Sequence, residues 1–284
     1  MTTGIEVRSL QAGYDDNIVI DELNLTIPKG SITALIGANG CGKSTLLKTI
    51  CRILQPMGGS VYLDGRSIHE RNTAELAREM AILPQQPTAP QGLTVRELVA
   101  YGRSPYRSGL WGRLSSKDRE MIDWALSATG LTSLADQSID QLSGGQRQRA
   151  WIAMAVAQDT DIVFLDEPTS FLDIAHQLEI MKVVSALHRE KGKTIIMVLH
   201  ELNQAARFAD FIVAMREGSI VKTGTPEEVM TPTILRRVFG ITATVMTDPY
   251  TGRPFCIPRE AGVAAAEVSV PKTVKASSSV AVTA

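Results

Sequence analysis

The 284-residue chain lacks any run of about 20 apolar residues, the length that a helix needs to cross a bilayer. The longest candidates, such as 150–157, are short and typical of a buried helix. Residues 1–6 show neither a basic region nor an apolar core, so they do not predict a signal peptide. We therefore expect that any work at a membrane depends on a partner that spans it.

The chain also lacks an excess of basic residues and contains few cysteines. The chain has 29 Lys and Arg against 30 Asp and Glu, and no basic stripe dominates any stretch. This balance argues against a nucleic-acid partner. The 3 cysteines, Cys41, Cys51 and Cys256, show no C-x-x-C spacing, which predicts a reducing cytoplasmic setting.

Short β-branched runs alternate with helical stretches, and this alternation predicts an α/β fold with a largely parallel sheet. The best strand candidates are 31–36, 162–165 and 194–199. A glycine-rich loop follows the first of them, and acidic or histidine side chains follow the other two. Ligands in such sheets bind at the carboxyl ends of the strands, so these strand ends predict one functional edge.

The region 92–158 has helical periodicity and no convincing strand, which predicts a helical subdomain inserted between core strands. Residues 242–258 are typical of a closing hairpin. The composition from 261 onward is mostly Ala, Val and Ser, which predicts a disordered tail over 261–284. We therefore expect one folded domain over 4–258.

The loop after the first strand fits the pattern G-x-x-x-x-G-K-[ST], with a helix over about 44–54 behind it. Its glycines let the backbone approach phosphate closely, and the helix N-terminus attracts anions. Lys43 would reach the β- and γ-phosphates of a nucleotide, and the Ser44 hydroxyl would ligate Mg²⁺. The alternative is a chance glycine turn. The predicted phosphate cradle comprises Gly37, Ala38, Asn39, Gly40, Cys41, Gly42, Lys43 and Ser44.

An acidic pair ends the second strand. Asp166 suits a further anchor for Mg²⁺, and Glu167 suits the activation of the water that attacks the γ-phosphate. Neighbouring side chains at a strand end point in different directions, so the pair can divide these tasks. The alternative is a solvated acidic turn. The presence of the phosphate cradle in the same chain favours the catalytic interpretation over this alternative.

A second glycine-rich element opens a helix that runs to about residue 158. Ser143 is a good N-cap, whereas two glycines in the first turn are poor helix formers. Bare backbone N–H groups at this turn would suit contact with an anion, and a flexible helix start is the alternative. The element consists of Leu142, Ser143, Gly144, Gly145 and Gln146.

The order of these elements resembles the ABC ATPase family over about residues 5–258. The segment from Gly37 to Thr45 matches the Walker A motif, and Leu142 to Gln146 match the signature, the family's most discriminating motif. Asp166 and Glu167 close a Walker B strand. The resemblance implies a P-loop NTPase core of α/β class, with an inserted helical subdomain and an N-terminal antiparallel β portion.

The resemblance also implies roles for single residues. Gln85 matches the Q-loop, where it would ligate Mg²⁺ and sense the γ-phosphate, and His200 matches the switch histidine. Tyr14 matches the aromatic residue that stacks on adenine. Asp173 matches the D-loop, in which Phe171 stands where alanine is commoner. Each has a plainer alternative: a loop glutamine, a strand-end histidine, a turn aromatic or a helix N-cap.

The chain has two phosphate-binding elements but one Walker B strand. The resemblance implies a head-to-tail homodimer that binds ATP with Mg²⁺, in which each signature closes over the partner's nucleotide. Glu167, His200 and Gln85 would be the catalytic residues, and the metal ligands would be Ser44, Gln85 and Asp166.

The stretch 92–106 resembles the ATPases of bacterial ferric-siderophore importers, especially those for ferric citrate, and 111–114 continues the likeness. This implies a peripheral subunit at the cytoplasmic face of the inner membrane, serving two membrane permease subunits and, indirectly, a solute-binding protein. Haem and vitamin B12 importers share much of the pattern; a non-transport ABC scaffold or assembly ATPase and a P-loop kinase are further alternatives. We expect Arg103 and Tyr106 on the surface that meets the permease.

Overall fold

The structure is a computed structural model that describes residues 3–107 and 113–259. The predicted tail over 261–284 and residues 111–112 of the importer-like stretch lie outside the described residues. The strands are β1 (Thr3–Tyr14), β2 (Asn17–Pro28), β3 (Ile32–Gly37), β4 (Gly58–Leu63), β5 (Arg66–Ser67), β6 (Met80–Leu83), β7 (Ile162–Asp166), β8 (Thr194–Val198), β9 (Phe211–Arg216), β10 (Ser219–Gly224), β11 (Thr242–Thr247) and β12 (Pro254–Arg259). The α-helices are α1 (Lys43–Ile50), α2 (Thr73–Leu76), α3 (Val95–Tyr101), α4 (Ser116–Ala128), α5 (Gly144–Ala157), α6 (Ile174–Lys191), α7 (Leu202–Phe208), α8 (Pro226–Val229) and α9 (Pro232–Phe239).

The core of the described chain is a 6-stranded sheet in the order β10-β9-β3-β8-β7-β6. Neighbouring strands are parallel except for β10, which pairs antiparallel with β9. β3, β7 and β8 are buried along their whole length, as expected for strands covered on both faces. The predicted core strands are confirmed, and their carboxyl ends share one edge because they run in the same direction.

A second, antiparallel sheet is built from the N-terminal strands in the order β2-β1-β4-β5. It shares a hydrophobic core with α1 and one face of the core sheet, including Leu10, Leu46, Val61 and Phe164. Helices α3 to α6 contribute to a second hydrophobic core that includes other side chains of the core sheet. The predicted α/β core with an N-terminal antiparallel portion is confirmed.

Helices α3, α4 and α5 occupy the region predicted to be helical, and the described residues of that region form no strand. Each of these helices begins with a capping box, in which the N-cap side chain and the N3 side chain each accept from the other's backbone N–H. The bounds 92–158 for a subdomain and 4–258 for the whole domain stay predictions.

Arg103 was expected at the surface, and this expectation was wrong, because only 2% of it is exposed. Its Nε donates to Asp118 Oδ1 at 2.8 Å, and a terminal nitrogen donates to the Ala157 carbonyl at 2.8 Å. Its guanidinium also lies 3.9 Å from the centre of the half-buried Tyr106 ring. A buried guanidinium is tolerated only when it is fully partnered, so Arg103 ties the end of α3 to α4 and α5.

Helix α1 ends at Ile50, short of the predicted end near residue 54. Arg52 turns the backbone into the left-handed region with a φ of +60°. One guanidinium nitrogen of Arg52 donates to the carbonyls of Ile68 and Arg71 at 3.0 and 2.6 Å. These long-range bonds favour the turn at Arg52 over another helical residue.

The predicted hairpin over 242–258 is confirmed as β11 and β12, which pair antiparallel. Asn203 of α7 holds the hairpin, because its side chain donates to the Cys256 carbonyl at 3.1 Å and accepts from the Cys256 N–H at 2.7 Å. Among the residues that the structure describes, no helix has both the length and the apolar character of a membrane span.

Candidate functional site

A cleft of about 730 Å³ opens at the shared carboxyl edge of the core strands. It collects side chains from the loop between β3 and α1 and from the segments that follow β6, β7 and β8, because these four strands are neighbours in the core sheet. The end of β1, in the antiparallel sheet, adds Tyr14. The predicted site residues that line it are Tyr14, Asn39, Gly40, Gly42, Lys43, Ser44, Thr45, Gln85, Glu167 and His200. The structure therefore brings the predicted cradle, adenine-stacking residue and catalytic residues together.

The loop between β3 and α1 adopts backbone angles that favour glycine. The φ angles are +155° at Gly37, +76° at Gly40 and +99° at Gly42. A Cβ at Gly37 would lie 2.4 Å from the Met215 carbonyl oxygen, so a side chain does not fit there. The fold of the loop itself thus requires glycines at these positions, apart from any contact with phosphate.

Lys43 lies folded against its own loop. Its Nζ donates to the carbonyls of Gly37 and Ala38 at 2.8 and 2.9 Å, and the residue is buried. Gly37 and Ala38 thus act through these carbonyls and, like the buried Cys41, do not line the cleft. The ammonium is a positive charge held at the base of a glycine-rich loop, which suits an anionic ligand.

Ser44 and Asp166 meet at the floor of the site. The Ser44 hydroxyl donates to Asp166 Oδ1 at 2.9 Å. Burial raises the pKa of the Asp166 carboxyl above its ordinary value, although the hydrogen bond from Ser44 opposes this rise. A buried carboxylate beside a hydroxyl oxygen offers the hard oxygen ligands that Mg²⁺ prefers, so these residues fit the predicted metal.

Glu167 is the centre of a hydrogen-bonded network. Its Oε1 lies 2.6 Å from His200 Nε2, and its Oε2 accepts from Gln85 Nε2 at 2.7 Å and from Ser170 Oγ at 3.0 Å. Burial raises the pKa of Glu167, but these donors outweigh burial and hold the pKa below its ordinary value. Glu167 has a left-handed φ of +55°, and it has other partners than Asp166, which accepts from Ser44. The division of tasks between the two carboxylates stays a prediction.

The second glycine-rich element stands apart from the lining of the cleft. None of its residues from 142 to 146 lines the cleft formed by the described residues. Ser143 caps α5 as predicted, because its Oγ accepts from the Gln146 N–H at 3.3 Å while Gln146 Oε1 accepts from the Ser143 N–H at 3.0 Å. A Cβ at Gly144 would meet open space, whereas a Cβ at Gly145 would lie 2.3 Å from a ring carbon of His176.

Asp173 is the N-cap of α6, which was the alternative to a D-loop role in the sequence analysis. Its Oδ1 accepts from the His176 backbone N–H at 2.9 Å and from the His176 ring at 2.8 Å. These hydrogen bonds, the backbone one first, lower the pKa of Asp173. Phe171, in the same loop, has a left-handed φ of +63° and is 91% exposed.

A profile of the family described as ABC transporter matches residues 20–170, more than half of the chain. The chain belongs to the ABC transporter family. The iron(3+)-hydroxamate import ATP-binding protein FhuC of Bacillus subtilis is 54% identical to this ABC protein over 253 residues, which cover 89% of this chain and 94% of the relative. The ferric enterobactin transport ATP-binding protein FepC of Escherichia coli is 49% identical over 251 residues, which cover 88% of this chain and 92% of the relative.

The fold of this ABC protein also matches a solved cassette. The dimeric structure of the ATP-binding cassette MJ0796, in a post-hydrolysis state with ADP and phosphate, superposes with a TM-score of 0.69 at 28% identity. The match covers 78% of this chain and 98% of that one. Together with the family profile and the relatives, it identifies this chain as an ATP-binding subunit that hydrolyses ATP.

Two contacts of this ABC ATPase were missed at the level of sequence. Ser170 lies three residues after Glu167, and this short spacing was the available signal for their contact. In the structure its backbone N–H donates to the Glu167 carbonyl at 3.2 Å and its hydroxyl donates to the Glu167 carboxylate. Gln177, one turn into α6, lines the cleft and donates to the Leu172 carbonyl at 3.0 Å. No local pattern distinguishes it from other helical glutamines.

Proposed function

We propose that this ABC ATPase energises the import of a ferric siderophore or related iron chelate through separate permease subunits, from a peripheral position at the cytoplasmic face of the inner membrane. The observation that carries the proposal is the nearly full-length likeness to two iron-chelate import ATP-binding proteins. The predicted catalytic side chains Gln85, Glu167 and His200 line one cleft, which supports the ATP hydrolysis that the import requires. Ferric citrate, expected first from the sequence, stays a prediction beside the ferric hydroxamate and ferric enterobactin of the relatives.

In the proposed reaction, Glu167 orients and polarises the water that attacks the γ-phosphate of ATP. Lys43 would exchange its loop carbonyls for phosphate oxygens and stabilise the charge that is transferred. His200 and Gln85, which now contact Glu167, would gain the γ-phosphate as an alternative partner and so release the carboxylate toward water. The chain supplies positioning and electrostatic stabilisation, which account for most catalysis of phosphoryl transfer.

We propose Mg²⁺ as the metal that accompanies ATP. Ser44 and Gln85 line the cleft, and the Ser44 hydroxyl contacts the buried Asp166 carboxylate behind it. When bound with ATP, Mg²⁺ neutralises charge that develops on the phosphates. Because burial raises the pKa of Asp166, a cation beside this carboxylate would relieve the cost of its charge.

We also propose a head-to-tail homodimer. None of the signature residues from 142 to 146 lines the cleft, so within one chain the signature does not close over this site. The likeness to the dimeric cassette MJ0796 supports the arrangement in which each signature faces the partner's nucleotide. Tyr14 would stack on adenine at the rim of each cleft, where its ring is half exposed.

The permease would dock beside the edge strand β6. A groove of about 440 Å³ runs along this strand, and Gln85 lies two residues after its end. The exposed Ile53 and Met57 lie in the segment that contributes Arg52 and Gln55 to the groove. This position would couple the permease to the γ-phosphate through Gln85, since two sites that share a conformational change share a coupling free energy.

Uptake in the native host tests the proposed function. A deletion strain, complemented with wild type or with Glu167→Gln, is assayed with radioactive iron presented as hydroxamate, enterobactin, citrate and haem chelates, and with labelled cobalamin. We expect loss of at least one ferric-siderophore or citrate uptake, restored by wild type but not by Glu167→Gln. Unchanged uptake of every ferric siderophore and citrate, with loss of haem or cobalamin uptake, would contradict the proposed cargo while leaving the ATPase assignment standing.

A further inference from the structure

His176 contacts two functional elements with one ring. A Cβ built on Gly145 of the signature would lie 2.3 Å from His176 Cδ2 and 2.7 Å from Cγ, so the ring packs directly on the turn that opens α5. On its other side, His176 Nδ1 donates to Asp173 Oδ1 at 2.8 Å. The glycine at 145, interpreted from sequence as access for an anion, is also required by this packing.

The ring is part of a continuous path from the signature to the catalytic carboxylate. Asp173 ends the loop 167–173, in which Ser170 Oγ donates to Glu167 Oε2 at 3.0 Å. A second link runs in parallel, because Gln148 of α5 donates to the Pro168 carbonyl at 3.0 Å. The turn that begins α5 and the loop that carries Glu167 are therefore joined at both ends of that loop.

We infer that His176 is a positioning residue that makes the signature turn and the D-loop of one chain move as a unit. The inference rests on the proposed function, in which the signature contacts the partner's nucleotide. Closure of the signature over one nucleotide would then set the position of Glu167 at the other nucleotide of the dimer. Such coupling needs a physical connection that both sites bias. The His176 ring supplies one, because it packs against Gly145 and is hydrogen-bonded to Asp173.

The first test replaces the ring in the full-length protein and measures steady-state ATP hydrolysis and Tm. His176→Ala should lower kcat about 10- to 100-fold, because a misplaced catalytic group costs this order of rate, while the KM for ATP changes less than about 2-fold. His176→Asn, whose amide can still donate to Asp173 but lacks the ring, should show the same split with an unchanged Tm. A lower Tm with an unchanged kcat would show a merely structural role and overturn the inference.

A matched control removes another contact between the same two helices. Arg149 of α5 pairs with Glu179 of α6 at 2.9 Å, away from the signature turn. Glu179→Ala should leave kcat and KM within about 2-fold of wild type, since exposed ion pairs contribute little. An equal loss of kcat in Glu179→Ala would show that any loosening of α5 and α6 suffices, and would contradict a specific role for His176.

The decisive test adds a methyl group at Gly145 and removes the ring at His176. Gly145→Ala should lower kcat strongly, because its methyl group collides with the His176 ring. In a His176→Ala background the same change should lower kcat by a clearly smaller factor than in wild type, since the collision with the ring is then absent. An equal, additive loss would mean that the His176 ring does not limit position 145, and the inference fails. If Ser143→Arg hydrolyses ATP normally, the shared-site proposal fails instead; if it is inactive while His176→Ala keeps the wild-type kcat, only the inference on His176 fails.

Discussion

The carboxylate of Glu167 contacts the ring of His200, with 2.6 Å between Oε1 and Nε2. The remaining oxygen of Glu167 accepts from Gln85 and Ser170, so three neighbours hold the carboxylate that is proposed to act on water. Two of these neighbours are the residues proposed to sense the γ-phosphate. We infer that Glu167 stays hydrogen-bonded to His200 and Gln85 until the γ-phosphate of ATP binds these two residues instead.

Removal of the Glu167 charge tests its role as base. Glu167→Gln should keep ATP binding and lower turnover by about 10²- to 10⁴-fold, the usual contribution of a positioned base. ATP binding is measured by equilibrium titration, turnover by phosphate release, and dimer formation by gel filtration, where ATP should trap a closed dimer. Glu190→Gln, an exposed change on α6, serves as control. Near-normal hydrolysis by purified Glu167→Gln would remove Glu167 from the mechanism.

The lowered pKa of Glu167 predicts that its hydrogen bond from Gln85 stabilises the fold to an extent that depends on pH. Its pKa lies below the ordinary 4.5, because hydrogen bonds from His200, Ser170 and Gln85 outweigh the effect of burial. A carboxyl with a lowered folded-state pKa stabilises the fold above its unfolded pKa, and this contribution is lost as the pH falls through the folded pKa. Gln85→Ala should therefore lower Tm at about pH 7, and the difference from wild type should shrink below about pH 4.5.

The measurement is thermal unfolding by circular dichroism at a series of pH values. The control is Gln86→Ala, a change at the exposed neighbouring glutamine, which should shift Tm little at any pH. A Tm difference for Gln85→Ala that persists unchanged well below the ordinary pKa of Glu167 would disprove the linkage between these two side chains.

Sharing of sites between chains is tested by mixing two inactive variants. Ser143→Arg blocks a signature, and Lys43→Ala removes the phosphate-binding lysine. Each variant alone should lose hydrolysis, while Ser143→Arg should keep the ATP affinity of the monomer. In a mixed dimer, the intact cradle of one chain meets the intact signature of the other, so activity should return to at most one site per dimer. Absence of any recovery in isolated mixed dimers would count against the head-to-tail arrangement.

Arg103 should be a stability residue. Its pair with Asp118 is buried, with side chains only 3% and 7% exposed, and removal of one partner leaves an uncompensated charge. Arg103→Ala should lower the free energy of unfolding by about 3–5 kcal/mol, measured by urea denaturation. Arg96 of α3 pairs with Asp123 of α4 at 2.5 Å, but this pair is exposed, so Arg96→Ala should cost at most about 1 kcal/mol. Similar losses for both variants would refute the distinction.

The permease surface is tested at Ile53, which is 58% exposed near the groove beside β6. Ile53→Asp should weaken association with the permease by about 2 kcal/mol, roughly 30-fold, if Ile53 is an anchor of that interface. Uptake should fall while the basal ATPase activity of the isolated subunit stays within about 2-fold of wild type. Ile257→Asp, at an exposed isoleucine of the hairpin, is the matched control. Equal uptake by both variants would place the permease elsewhere.

The local chemistry of the site followed from the sequence alone. The glycines and lysine of the cradle, the acidic pair after β7 and the cap at Ser143 each depend on a few adjacent residues, so their spacing was sufficient to predict them. The same holds for the core strands and for the starts of α1 and α5. Helix α1 was predicted too long because its end depends on bonds from Arg52 to residues after β5, which no local pattern encodes.

Only the tertiary structure decided which of these elements touch. Gln85 and Glu167 are 82 residues apart and meet because β6 and β7 are neighbours in the core sheet. Arg103 is buried because Asp118 and the end of α5 surround it, and Gly145 is confined by a ring from α6. Residue types and spacing thus determined what chemistry the chain carries. Strand order and helix packing determined which side chains contact each other, since such contacts join segments that are distant in sequence.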